Sequence, residues 1–172
     1  HALDLSLASI DEAVRQIRAI VHNLREPDSD VGLVERIRRE SSLSRSFLGF
    51  APSLLISVDG QSVNEQKECE DHRVELLNSR VDDSRSDDAV AIVREGLSNI
   101  ARHAHATAGA VNVELEGSGK TGRLTVSVSD DGVGIDPAHT RNSGLANMAE
   151  RARLNGGTFT VGTGLEGKGT KI

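Results

Sequence analysis

Apolar residues open the chain on a strict beat: Leu3, Leu7, Ile10, Val14, Ile17, Val21 and Leu24 are spaced 4-3-4-3-4-3. This is the a/d seam of a helix in a coiled coil or helical bundle, and Asp11, Glu12, Arg15 and Arg18 fall off it. Pro27 ends the helix, because proline lacks the amide donor and clashes with the preceding turn. A lone helix of this length is marginal in water, so the seam needs a partner. That partner is either the chain's own domain or, as the heptad period favours, a second helix in an intermolecular bundle.

Residues 28–48 read as a second helix with Asp30 as N-cap, Val34, Ile37 and Leu43 on one side, and Arg36, Arg38 and Arg39 outward. Leu54, Ile56 and Val58 alternate into the Asp59-Gly60 turn and predict a strand. Residues 61–86 carry many charges with little periodicity and read as a loop or weak hairpin. Asp87 or Asp88 then caps a strong helix through His103. Two strands follow, through Val111, Val113 and Leu115 and through Leu124, Val126 and Val128, joined by a turn at 117–122. A loop rich in Gly, Asp and Asn leads into a helix from Gly144 to Leu154, ended by Gly156-Gly157, with short strands near Thr158–Val161 and Thr170–Ile172. Helices mixed with largely antiparallel strands predict an α/β two-layer sandwich.

Composition narrows the chemistry. The 172 residues are 37% apolar and 27% charged, ordinary for a globular chain with a real core, yet they include only three Phe and no Trp or Tyr. A nucleotide base would therefore have to be held without aromatic stacking. A net charge of −6 argues against a nucleic-acid partner or direct contact with an anionic membrane. The single cysteine, Cys69, excludes an internal disulfide and a cysteine zinc cluster, which fits a cytoplasmic setting. No apolar run approaches the roughly 18 residues of a membrane span. The pattern begins mid-seam at His1 and stops within a strand at Ile172, so the chain reads as a fragment.

Four local patterns carry candidate chemistry. On the helix 88–104, Glu95, Asn99, Arg102 and His103 share one stripe, opposite an apolar face of Val93, Leu97, Ile100 and Ala104. Such a stripe is usually just solvated, but a carboxylate, carboxamide, guanidinium and imidazole together suit a Mg–phosphate site. Asp130-Asp131-Gly132-Val133-Gly134 follows a strand directly, where a carboxylate can accept from an exocyclic amine and the glycines allow close approach; the plain alternative is an Asp-Gly turn. Gly144-Leu145-Ala146-Asn147-Met148 feeds a helix N-terminus, which offers free amides to phosphates. Gly164-Leu165-Glu166-Gly167-Lys168-Gly169-Thr170 is a glycine-rich turn before the last strand.

In order, Arg94-Glu95-Gly96-Leu97-Ser98-Asn99-Ile100-Ala101-Arg102-His103-Ala104, Asp130 to Gly134, Gly144-Leu145 with Met148 to Arg151, and Gly167 to Thr170 resemble the N, G1, G2 and G3 boxes. These boxes belong to sensor histidine kinases of the GHKL ATPase superfamily. The helix ending Ile17 to Arg25 resembles the second dimerisation helix of the nitrate-sensor-type subfamily, and with Leu48-Gly49-Phe50-Ala51-Pro52 it is similar to actinobacterial redox and dormancy sensor kinases. The resemblance implies a Bergerat-type ATP-binding fold, with a mixed, mostly antiparallel sheet and helices on one face. It divides the chain into a dimerisation helix at 1–27 and an ATP-binding catalytic domain at 28–172.

The resemblance also implies roles, with ATP and Mg²⁺ as cofactors. Asp130 would bind the adenine amine, Gly132 and Gly134 would shape the pocket, and Gly169 and Thr170 would adjoin it, Thr170 helping through its hydroxyl. Asn99 would coordinate Mg²⁺, Arg102 and His103 would face the phosphates, and Glu95 would assist transfer. Ile135 to Ser143 would form the lid, with Gly144 and Leu145 at its end. Asn142 departs from the glycine that the family often has there. The implied partners are a response regulator and a second copy joined through the N-terminal helix.

Other signals have plainer readings. Gly117 to Thr121 ends like a P-loop, but Glu114 replaces the required first glycine and a strand follows, so it is a hairpin turn. His22-Asn23 lacks the acidic residue that normally follows a phospho-accepting histidine. The chain is therefore expected to bind ATP without phosphorylating itself. Two alternatives stay open: a serine kinase or conformational ATPase of the same superfamily, and a non-catalytic interaction module.

Overall fold

In the computed structural model, residues 2–24, 31–63, 72–118, 122–135 and 143–172 are described. The chain runs α1 (Ala2–Asn23), α2 (Leu33–Leu48), β1 (Ser53–Val58), β2 (Gln61–Ser62), α3 (His72–Arg80) and α4 (Asp83–Asn99), which a π-helical turn extends over Ile100–Ala104. It continues through β3 (Gly109–Glu116), β4 (Arg123–Asp130), α5 (Ser143–Leu154), β5 (Gly162–Thr163) and β6 (Thr170–Lys171).

Period-two alternation builds the sheet. Cross-strand register aligns three aliphatic rows on one face: Leu54–Val111–Val128, Ile56–Val113–Val126 and Val58–Leu115–Leu124. The opposite face carries Leu55, Ser57, Asn112, Glu114 and Thr125. The strand order is β2-β1-β3-β4-β6-β5, and every pairing except β1–β3 is antiparallel. Leu33, Ile37 and Phe47 of α2, Leu77 of α3, and Val90, Val93 and Leu97 of α4 bury against the aliphatic rows. Truncating one of these fully buried side chains to Ala costs about 2–5 kcal/mol. Gly96 lets α4 approach β4, since a Cβ there would lie 2.9 Å from the Val128 side chain. This brings the stripe on α4 beside the end of β4, two residues beyond Val128.

α1 meets the domain through a face other than its seam. Ala19 is fully buried, while Ile10, Val14, Ile17, Val21 and Leu24 of the seam are 38–79% exposed. Arg18 reaches the Ser46 carbonyl of α2.

Several expectations need correction. Residues 61–86 are not a loop or weak hairpin throughout: β2, α3 and the start of α4 lie there, and residues 64–71 fall outside the described residues. Val74, Leu77 and Val81 are buried at helical spacing, though charged neighbours mask the pattern. α4 is capped by Asp82, whose carboxylate accepts from the Arg85 amide at 2.9 Å, instead of by Asp87 or Asp88. α2 starts after Gly32, and Asn78 of α3 accepts from the Val34 amide at 3.3 Å; the expected cap Asp30 lies outside the described residues. Arg36 points inward, 5% exposed, and pairs with Asp87 at 2.7 Å, whereas Leu43 is 37% exposed. The inward face of α2 is partly polar because α4 supplies counter-charges. In the same way the buried Arg94 donates to Glu40 at 2.7 Å. The strand expected near Thr158–Val161 forms one step later, at Gly162–Thr163, where Gly162 pairs with Lys171 and Thr163 with Thr170.

Candidate functional site

The stripe and the Asp-Gly bend meet through backbone contacts. The Val133 amide donates to the Ala104 carbonyl at 2.9 Å, which ties the bend to the end of the π-helical turn. Gly132 lies so close that a Cβ would sit 2.1 Å from the Ala104 oxygen. This approach requires glycine on steric grounds alone.

Asp130 sits at the centre, 4% exposed. Its Oδ1 accepts from the Gly132 amide at 2.8 Å, and the Thr170 amide also donates to the carboxylate. Burial pushes its pKa above the ordinary carboxylate value, partly offset by these two amides. Glycines crowd round it. A Cβ on Gly169 would lie 2.4 Å from Asp130 Oδ1, and one on Gly164 would lie 2.1 Å from its backbone oxygen. Gly134 takes a positive φ of 79° beside Gly169. Thr170 meets Asp130 through its backbone amide.

The neighbouring Asp131 does different work. Its carboxylate accepts from the Thr107 and Ala108 amides, each at 2.8 Å, and from the Thr107 hydroxyl at 2.6 Å. These bonds, led by the hydroxyl's, depress its pKa to about 2 and lock the loop that leads into β3. Two adjacent aspartates are thus a buried carboxylate and a half-buried loop lock.

On α4 the expected side chains converge. Arg102 Nη2 donates to Glu95 Oε1 at 3.1 Å and to Asn99 Oδ1 at 3.0 Å, while its Nε donates to the Ser98 carbonyl. Two oxygens therefore already face one cationic group, and hard oxygen donors of this kind suit Mg²⁺. His103 is held below the usual histidine range, chiefly by loss of part of its water shell and also by Arg102, with Glu95 pulling the other way.

The N-terminus of α5 arrives at the same place. A Cβ on Gly144 would lie 2.2 Å from Glu95 Oε1, and Leu145 is half-buried beside it. The lid expected at Ile135 to Ser143 lies, with Asn142, mostly outside the described residues. In the sequence Gly164 is only part of a glycine-rich turn. Its spacing from Gly167 and Gly169 was the available signal, but only the tertiary contact with Asp130 assigns it a place in the site.

Comparisons with known proteins agree with this geometry. The chain is 41% identical over 71 residues to the signal transduction histidine-protein kinase/phosphatase UhpB of Salmonella typhimurium, a match covering 41% of the chain and 13% of UhpB. It is 28% identical over 162 residues to the sensor histidine kinase LiaS of Bacillus subtilis, covering 84% of the chain and 44% of LiaS. The chain thus spans less than half the length of either relative. Its fold is similar to that of the histidine kinase domain from the Erythrobacter litoralis EL346 blue-light activated histidine kinase, with TM-score 0.53, 19% identity, and coverage of 93% of this chain and 71% of that one. That likeness bears out the two-layer α/β fold. Residues 84–172, which carry the stripe, the Asp130 bend, α5 and the final glycine run, match the model of the histidine kinase-, DNA gyrase B- and HSP90-like ATPases, and the chain belongs to that family.

Proposed function

We propose that this chain is the ATP-binding catalytic region of a sensor histidine kinase, which transfers the γ-phosphoryl group of ATP to a histidine outside these residues and thence to a response regulator. The observation that carries the reading is the buried Asp130 carboxylate, walled by glycines and tied by backbone bonds to the helix that bears Glu95, Asn99 and Arg102.

In this reading Asp130 accepts from the adenine amine. A base without aromatic partners needs such a directional contact; Gly169 keeps a side chain off the carboxylate oxygen, Gly132 and Gly164 let the surrounding backbone close in, and Gly134 bends the chain at positive φ. Arg102 swings from its bond with Asn99 to the phosphates, which frees the Asn99 oxygen. Asn99, with Glu95 nearby, would hold Mg²⁺, which would supply neutralisation of phosphate charge. His103 donates a hydrogen bond to a phosphate oxygen, Glu95 assists the transfer, and Gly144 and Leu145 bring the α5 amides to the phosphates. Catalysis then rests on positioning and charge.

The exposed seam residues from Ile10 to Leu24 support residues 1–27 as part of a dimerisation helix, with 28–172 as the catalytic domain, and Ile17 to Arg25 supports the nitrate-sensor-type subfamily. No helix among the described residues is long and apolar enough to cross a membrane; a cytoplasmic place for this region is part of the proposal.

With γ-labelled ATP, the chain should bind nucleotide, remain unlabelled, and pass label to the histidine-bearing helix of its full-length protein when that helix is supplied separately. Robust labelling of His22 in this chain would overturn the assignment of an external acceptor.

A further inference from the structure

Among its described residues α5 has a single fully buried side chain, Met148, at 1% exposure. One apolar anchor leaves a helix free to tilt. The polar contacts along its seam with α4 therefore decide where its N-terminus lies.

Those contacts sit at two ends. Gly144, Met148, Arg151 and Asn155 recur at helical spacing and form one stripe. At one end Gly144 lies against Glu95. At the other, Arg151 Nη1 pairs with Asp88 Oδ1, and Asn155 Nδ2 donates to Asp88 Oδ2 at 2.7 Å. Asp88 and Glu95 are two turns apart on α4, so the two helices run antiparallel. A cleft of about 560 Å³, lined by Asp88, Ala91, Glu95, Met148 and Arg151 among others, runs between the two helices. The Asp88 side chain is 20% exposed and uses both carboxylate oxygens, while its partners Arg151 and Asn155 lie at the surface, so the clamp's strength comes from the paired geometry more than from burial.

We propose that Asp88 is a positioning residue for phosphate binding. By clamping the C-terminal end of α5, it presses the N-terminal end onto Glu95 and fixes that wall of the phosphate site. The inference rests on the reading that phosphates lie beside Glu95 and Asn99. Without the clamp, α5 tilts about Met148 and ATP must select the docked position. The apparent dissociation constant then rises by the inverse of the docked fraction.

Calorimetry with Mg-ATP and with adenosine, on wild-type protein and Asp88→Ala, tests this alongside thermal melting. The expected result is a folded variant whose ATP affinity falls about tenfold while adenosine affinity holds, because Asp130 and the glycines around it are untouched. Unchanged ATP affinity, or equal losses for both ligands, overturns the proposal. If Asp88→Ala does not fold, Asn155→Ala removes one of the two bridges. A loss of about threefold for ATP alone then supports the clamp, and an unchanged ATP affinity overturns it. Wild-type protein that binds neither ligand would instead sink the ATP reading on which the clamp depends.

Discussion

Gly132→Ala is the sharpest perturbation of the contact that unites the site. The added methyl would lie 2.1 Å from the Ala104 oxygen and 2.8 Å from its carbonyl carbon. Both are backbone atoms, so no rotamer relieves the clash. Relief requires the bend to leave the helix end, which breaks the 2.9 Å bond from Val133 to Ala104 and draws the Gly132 amide off Asp130. A neutral hydrogen bond contributes about 1 kcal/mol and one to a charged group about 1.5–3 kcal/mol. Together these give about 2.5–4 kcal/mol, with overpacking adding about 1–3 kcal/mol where relaxation is incomplete. Gly134→Ala is the comparison. Its nearest neighbour would be 3.4 Å away, so the change mainly strains a positive φ, at about 1–2 kcal/mol. Urea denaturation of both variants, with Mg-ATP calorimetry, gives the answer. Gly132→Ala should be the less stable variant and should lose ATP binding. Stability equal to or above that of Gly134→Ala would refute the steric argument.

Glu40→Ala should cost about 3–5 kcal/mol in the same denaturation assay, since it leaves the buried Arg94 guanidinium without that carboxylate; a loss under about 1 kcal/mol would show the pair to be effectively solvated. Asp131 has a depressed folded pKa, so its contribution is present above its unfolded value and lost as pH falls through about 2. The stability gap between wild type and Asp131→Asn should therefore close as acid is added, and a gap independent of pH contradicts the loop-lock role. Asp130 has a raised pKa. Adenosine, which has no phosphate to titrate, should bind best at neutral pH and lose affinity on acidification before ordinary carboxylates protonate; affinity that rises in acid contradicts adenine binding by the carboxylate.

What could be read from the sequence was what chemistry fixes by residue type. The stripe of Glu95, Asn99, Arg102 and His103 needs only helical periodicity to be placed, and the glycines beside Asp130 stand where side chains would obstruct. What escaped depends on partners far away in the chain. Arg36 and Glu40 turn inward because Asp87 and Arg94, 51 and 54 positions on, face them. Asp87 and Asp88 resembled a helix cap, yet tertiary contacts use them while Asp82 makes the cap. α3 was hidden because nine residues with only a few apolar positions give a weak periodic signal. The seam of α1 was legible as apolar, but that the domain would bind its other face, through Ala19, was not.

The central claim is that the buried Asp130 carboxylate recognises a nucleotide base. Asp130→Asn keeps one oxygen that can accept from the Gly132 amide while it removes the charge offered to the base. Calorimetry with Mg-ATP on wild type and Asp130→Asn, each checked by melting, tests the claim directly. A folded variant with affinity reduced about tenfold or more is the predicted result, the loss of one charged hydrogen bond; equal binding by the two proteins would contradict it.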